Sequence, residues 1–340
     1  MIVDLRSDTV TKPSKEMLAA MMQAEVGDDV FSEDPTIIAL ENRVAKMFGQ
    51  EAGLFCASGT MANQIAVKAQ TQPMDEIIAH ELCHIYYYET AGYAFNSGVS
   101  IKLCRGKGGL ISAEDVLANI QPDYDWLPKT TFVTIENTCN KAGGTCYDLA
   151  TMQAVSKTCK KHGLKLHLDG ARIWNAMVEM KYQASDFGSL FDSISICFSK
   201  GMGAPVGSVL VSDKATIKKA RRIRKVFGGG MRQAGILAAA CLYSLDHNFE
   251  LLKKDHQRAK KIGEIFEKLD WVVAVSPIAT NIVLFDLKNN LSPQVVIDHL
   301  SSLGIKMVQF GPQTIRCVTH LDITDEHINY VEEKLKDLTF

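Results

Sequence analysis

No stretch of the 340 residues is apolar for long enough to cross a bilayer, so no membrane-spanning helix is expected. Neither sign of charge is in surplus. Lys and Arg number 37 against 39 Asp and Glu, and a net charge of −2 gives no global field that would draw the chain to nucleic acid or a lipid surface. The nine cysteines are an odd number and scattered, with no Cys-x-x-Cys pair. That argues against a disulfide framework or a zinc site and for reduced thiols in a cytoplasm, with no metal centre. No Gly-x-Gly-x-x-Gly follows a strand pattern with an acid some twenty residues on, which counts against a dinucleotide-binding dehydrogenase. Met1–Arg6 carries charge and no apolar core, so a signal peptide is not expected. No internal repeat or low-complexity tract is present.

What is present is an alternation of short apolar runs with helical patterns. Strands are predicted at 54–57, 76–80, 101–104, 131–136, 164–168, 194–198 and 207–211. Between them lie well-signalled helices. One begins at Asp34 (N-cap) and Pro35, carries Ile38, Leu40, Val44 and Met47, and stops at Gly49. Another opens on Ser112 to Asp115 as a capping signal, and a third runs from Asp148 to His162 and closes at Gly163. A β-α-β rhythm of this kind predicts an α/β fold, with a mostly parallel central sheet flanked by helices and its functional groups at the carboxyl ends of the strands. A charged helix pattern at 248–269 leads to a smaller α+β part, with strands at 281–287, 306–310 and 314–318. The expected division is 1–250 and 251–340, with the polar opening 1–20 near the site. That opening is too mixed for regular structure and would fray unless it docks, Ser7 being the residue to watch.

The run 194–198 ends in Ser199-Lys200-Gly201, and 164–168 ends in Asp169-Gly170-Ala171-Arg172. Alone, Lys200 would be a surface lysine and Asp169 a strand-end acid. Together, separated by one strand–helix–strand passage, they supply an amine for a Schiff base and an acid for a pyridinium nitrogen, the two groups pyridoxal phosphate (PLP) needs from a protein. Ser58-Gly59-Thr60 opens a helix, where free N–H groups and the dipole suit a phosphate, although Ser58 also reads as a plain N-cap. His84 follows a strand end, and a flat imidazole there can stack on a ring or take a hydroxyl proton. Arg316 stands between apolar neighbours in a strand, so it pairs with a protein acid or awaits a ligand carboxylate. The basic run Lys218–Lys225 reads as a solvated helix face, and Arg232, after three glycines, could grip an anion.

The blocks Leu5–Thr11, Glu25–Val30, Ser58–Met61, His167–Arg172, Ser199–Gly201 and Gly228–Gly235 stand in the order found in the threonine aldolases, which the chain resembles over nearly its whole length. The resemblance is to the low-specificity L-threonine and L-allo-threonine aldolases, PLP enzymes of the aspartate aminotransferase fold (fold type I). It implies retro-aldol cleavage of a β-hydroxy-α-amino acid to glycine and an aldehyde. It also implies catalytic roles for Lys200, His84 and Asp169, and cofactor contacts from these and from Ser58, Gly59, Thr60 and Arg172. Ser7, Arg172, Arg316 and Tyr88 would meet the substrate. A homo-oligomer, dimer or tetramer, with shared sites is implied, so that Tyr88 and the cofactor-binding candidates Lys225 and Arg232 would reach a neighbour's site. Two positions depart from the pattern: Trp126 and Cys139 stand where similar enzymes often carry histidine, which leaves His84 as the first candidate base. An aminotransferase or a β-eliminating lyase uses the same parts and stays open, as does a carrier that binds the cofactor without turnover.

Overall fold

The computed structural model describes all residues, Met1–Phe340. Its thirteen strands are β1 (Val3–Asp4), β2 (Ala52–Cys56), β3 (Asp75–His80), β4 (Ser100–Cys104), β5 (Lys129–Glu136), β6 (Lys165–Gly170), β7 (Ser193–Cys197), β8 (Ser208–Ser212), β9 (Val272–Val275), β10 (Ile282–Leu287), β11 (Ile305–Lys306), β12 (Val308–Gln309) and β13 (Thr314–Val318). Seven form a central sheet in the order β2-β8-β7-β6-β5-β3-β4. All run parallel except β8, which is antiparallel to both of its neighbours. The connection from β7 to β8 spans only 198–207, too short for a crossover helix, and so forces the reversal. Strands β5 to β8 are almost wholly buried, which is why they read as continuous apolar runs rather than alternations.

The helix signals do what their chemistry requires. Asp34 accepts the N–H groups of Thr36 and Ile37 ahead of the helix Pro35–Met47, and Gly49 follows it with φ +64°. The buried stripe of that helix is Ile37, Leu40, Val44 and Ala45; Ile38 instead faces outward. Ser112 and Asp115 close a reciprocal capping box.

A second layer is a four-stranded antiparallel sheet, β12-β13-β10-β9, with the helices Leu252–Phe266, Pro293–Ser302 and Asp325–Leu335. Its core includes Phe266, Trp271, Phe285 and Leu300, and also Val3 and Leu5. The opening of the chain is therefore docked, with Ser7 at the cavity, and it carries more regular structure than its composition predicts. β1 pairs parallel with β11, Leu5 O accepts the Val318 N–H at 2.8 Å, and Ser7 caps a 3₁₀ turn over Asp8–Val10. The pairing supplies backbone partners that the local composition does not reveal. The basic run 218–225 is corrected in a similar way. Arg222 and Lys225 are exposed, but Arg224 is buried, donating to Phe55 O at 2.8 Å and to Asp29 at 2.6 Å.

Candidate functional site

Four neighbouring strands, β7, β6, β5 and β3, deliver their carboxyl ends to one place. Lys200 follows β7 in a turn closed by Gly203 N–H to Lys200 O at 2.8 Å, where Gly203 takes φ +79°. Asp169 ends β6, Glu136 ends β5, and His84 opens a short helix, His84–Tyr87, just after β3. A cavity of about 500 Å³ collects Ser7, His84, Tyr88, Arg172, Lys200 and Arg316, together with Glu136, Asn140, Lys141 and Phe310. Ser7 comes from the opening segment, Arg316 from β13 of the antiparallel sheet, and Phe310 from the residue after its edge strand β12.

Behind the cavity runs a buried polar chain whose donors can be assigned from their partners. Asn63 Nδ2 lies 2.9 Å from Asp169 Oδ2 and 2.8 Å from Glu89 Oε1. Between two carboxylates it must be the amide NH₂, so Asn63 Oδ1 is the acceptor. It takes the Ser195 hydroxyl at 2.6 Å and His167 Nε2–H at 3.1 Å. Burial holds His167 down to about 4, so it is neutral, and its Nδ1 accepts from Ser193 Oγ at 2.8 Å. Glu89 in turn takes the Nδ1–H of His84 at 2.9 Å and the Gln64 amide at 2.6 Å. Atoms of His84, Glu89 and Asp169 that could ligate a cation lie within 4.8 Å of one another, and the His84–Glu89 bond and the Asn63 amide tie them together.

With Nδ1 committed to Glu89, His84 Nε2 is the ring atom left for the cavity. Burial alone would lower the basicity of His84, but the Glu89 bond and the charges of Asp169, Glu89 and Glu136 outweigh it and raise its pKa above the usual value of about 6.5. Acting as a proton acceptor, His84 would work only above its pKa, which would place the acid limb of an activity profile above pH 6.5. Glu89→Gln should move that limb to lower pH. A limb that stays in place would separate Glu89 from the base.

Glu136 is wholly buried beside Asp169, its register partner on β6. Burial and that neighbouring charge raise it to about 7, although the backbone N–H groups of His84 and Asn140 each donate to it at 2.9 Å.

The two arginines of the cavity differ. Arg172 is already paired, since its Nε and Nη2 meet the two carboxylate oxygens of buried Asp8, both at 2.7 Å. Arg316 has no carboxylate. Its Nη1 donates to Asn140 Oδ1 and its Nη2 to Arg6 O, both at 3.0 Å, and Nε is buried without a partner. Burial and the nearby Arg172 push it down to about 10.

Ser58 caps the helix Gly59–Gln70, accepting Met61 N–H at 3.1 Å, so Gly59 and Thr60 form the helix's first turn. A Cβ on Gly59 would stand 2.5 Å from Cys197 Sγ, so only glycine lets this helix start lie against the end of β7. The N–H groups of Gly59 and Thr60 have no partner within the helix. Lys225 and Arg232 lie outside the cavity on an exposed face, and Arg232 is paired with Asp28 at 2.9 Å. Tyr88 lines the cavity of its own chain, its ring 5.4 Å from that of His84. Trp126 is 77% exposed and stacked on Tyr124, outside the cavity. The Cys139 thiol is buried, and burial raises it far above the range in which it could act as a base.

Local sequence pattern does not single out Asp8, Asn63, Glu89, Glu136, Asn140 or Lys141. The available signals were slight: an acid after Ser7, and an amide and an acid in otherwise apolar helical or strand surroundings.

The family model described as beta-eliminating lyase matches residues 4–290. The low-specificity L-threonine aldolase 1 of Arabidopsis thaliana is 38% identical over 96% of this chain and 94% of its own length. The low specificity L-threonine aldolase of Escherichia coli K12 is 36% identical over 96% of each. The threonine aldolase structure from Leishmania major superposes with a TM-score of 0.85 at 22% identity, over 98% of both chains, and so has the same fold.

Proposed function

The chain belongs to the beta-eliminating lyase family, among the low-specificity L-threonine aldolases, and from that premise we propose that it cleaves β-hydroxy-α-amino acids, L-threonine or L-allo-threonine, to glycine and acetaldehyde. The observation that carries the reading is Arg316: a half-buried guanidinium with an orphaned Nε, in a cavity shared with Lys200 and His84. A buried donor without a partner is costly, and a ligand carboxylate is the group that relieves it.

The residues present fit PLP. Lys200 would hold it through its amine, Asp169 would pair with the ring nitrogen, His84 would lie against the ring, and the open helix start at Ser58, Gly59 and Thr60 would take the phosphate. When bound, the cofactor supplies an electron sink for the Cα–Cβ bonding pair. The remaining work falls to the chain's own groups. Arg316 takes the substrate carboxylate, with Ser7 and Tyr88 beside it. Arg172, its charge balanced by Asp8, holds the wall rather than competing for the anion. Asn140 Oδ1 bonds both guanidinium groups, at 3.4 Å to Arg172 and 3.0 Å to Arg316, and so fixes their spacing. His84 Nε2 takes the β-hydroxyl proton while Glu89 keeps the imidazole oriented.

Phe31 and Val226, 69% and 80% exposed, flank Lys225 and Arg232, and a partner copy covering them would support a dimer or tetramer with shared sites. The cysteines are all free and mostly buried, which supports a reducing cytoplasm, and no helix is long and apolar enough to cross a membrane. The direct test is product analysis of purified, PLP-supplied protein given L-allo-threonine. Glycine and acetaldehyde in equal amounts are expected; a keto acid would mean transamination or elimination instead.

A further inference from the structure

Four cations line or border the cavity, and three are accounted for: Arg172 by Asp8, Lys200 by the cofactor, and Arg316 by the α-carboxylate of the substrate. Lys141 is left over. Its Nζ donates to Phe310 O at 2.9 Å and sits 4.9 Å from the centroid of Tyr87 and 4.5 Å from that of Phe310. All three partners are uncharged. The acid of the cavity wall, Glu136, spends its two oxygens on backbone N–H groups. An ammonium has three donors, and only one is used here. Arg316 packs on the same Phe310 ring, its guanidinium 4.4 Å from the centroid, so two cations share one aromatic side chain and neither hydrogen-bonds to a carboxylate. Burial and the charge of Arg316 both lower the pKa of Lys141, a strain that a second ligand anion would remove.

We propose that Lys141 equips this cavity for β-hydroxy-α-amino acids whose side chain ends in a carboxylate, with L-3-hydroxyaspartate the simplest. The inference rests on the aldolase reading for the reaction, though not for the binding. The chemistry balances without a further reactant. The Cα–Cβ bond breaks and its pair stays with Cα, which takes a proton and leaves as glycine. The hydroxyl gives up its proton to the base, and its O–H pair becomes the carbonyl of glyoxylate.

The test uses the PLP-loaded protein in two arms. In the first, kcat/KM is measured for L-3-hydroxyaspartate and L-allo-threonine in the unaltered chain, Lys141→Met and Lys141→Arg. The ratio of the two should fall about tenfold or more in Lys141→Met and return largely in Lys141→Arg. In the second, calorimetry measures binding of L-aspartate and L-2-aminobutyrate, which lack the β-hydroxyl. The unaltered chain should favour aspartate, and that preference should fade in Lys141→Met and with added salt. A ratio unmoved by Lys141→Met overturns the proposal, including the case where both substrates lose equally, which would put Lys141 at the α-carboxylate. Cleavage of L-allo-threonine without any binding of the dicarboxylates overturns it too. A Lys141-dependent preference for aspartate in a protein that cleaves neither substrate would sustain the site and sink the aldolase reading alone.

Discussion

Arg316→Ala should raise the KM for L-allo-threonine by about 10- to 100-fold, the loss expected for one charge-assisted, bidentate carboxylate contact of roughly 1.5–3 kcal/mol. The α-carboxylate is attached to Cα, one end of the bond that breaks, so loss of its anchor should lower kcat as well as raise KM. Arg316→Lys should recover only part of it, since an ammonium restores the charge but not the planar fork. The physical reason lies in how the guanidinium is held: Asn140 and Arg6 O each take one N–H, neither is charged, and Nε stays buried and unpaired. Steady-state kinetics with both variants checks this. An unchanged KM would remove Arg316 from the carboxylate site and return Arg172 to it.

Asp8→Ala should destabilise the fold by about 3–5 kcal/mol, the usual result of stripping one partner from a buried ion pair and leaving the other charge uncompensated. Asp8 is fully buried, and burial by itself would raise its pKa. The Arg172 guanidinium, the Lys200 charge and the Asn281 amide reverse that and hold it far below the carboxylate range. A group depressed in this way contributes stability above its unfolded pKa of about 3.9 and loses it as pH falls toward the folded value. The unaltered chain should therefore lose stability below about pH 4 more steeply than the variant does. Urea unfolding at neutral and acid pH measures both quantities. A neutral-pH difference under about 1 kcal/mol would mean that Arg172 finds another partner.

Asp8 also illustrates what the sequence could and could not convey. The alternation of strands and helices, the caps at Asp34 and Ser112, and the placement of Asp169 and Lys200 at strand ends all follow from local patterns, and the fold keeps them. Each depends on chemistry within a few residues of itself. Asp8, Asn63, Glu89 and Arg224 depend on partners that are remote in the chain: Asp8 and Arg172 lie 164 residues apart, and Arg224 and Asp29 lie 195 apart. Nothing near them distinguishes a buried ion pair from a solvated charge. Strand direction was hidden for a related reason, since hydropathy is the same for a parallel and an antiparallel β8 and only the shortness of the link from β7 carries the information. Lys225 and Arg232 mark a further boundary. Motif resemblance singles them out, and one chain leaves them on its surface, away from its own cavity.

The sharpest test of the whole account is the visible absorbance of the purified protein with PLP, followed as L-allo-threonine is added and repeated with Lys200→Ala. The expected result is a protein-bound band that shifts on adding the amino acid, with both the band and acetaldehyde formation lost in the variant. A variant that kept the band of the unaltered chain and its full turnover would contradict the assignment of Lys200, and with it the reading of the cavity as the place where carbon–carbon cleavage occurs.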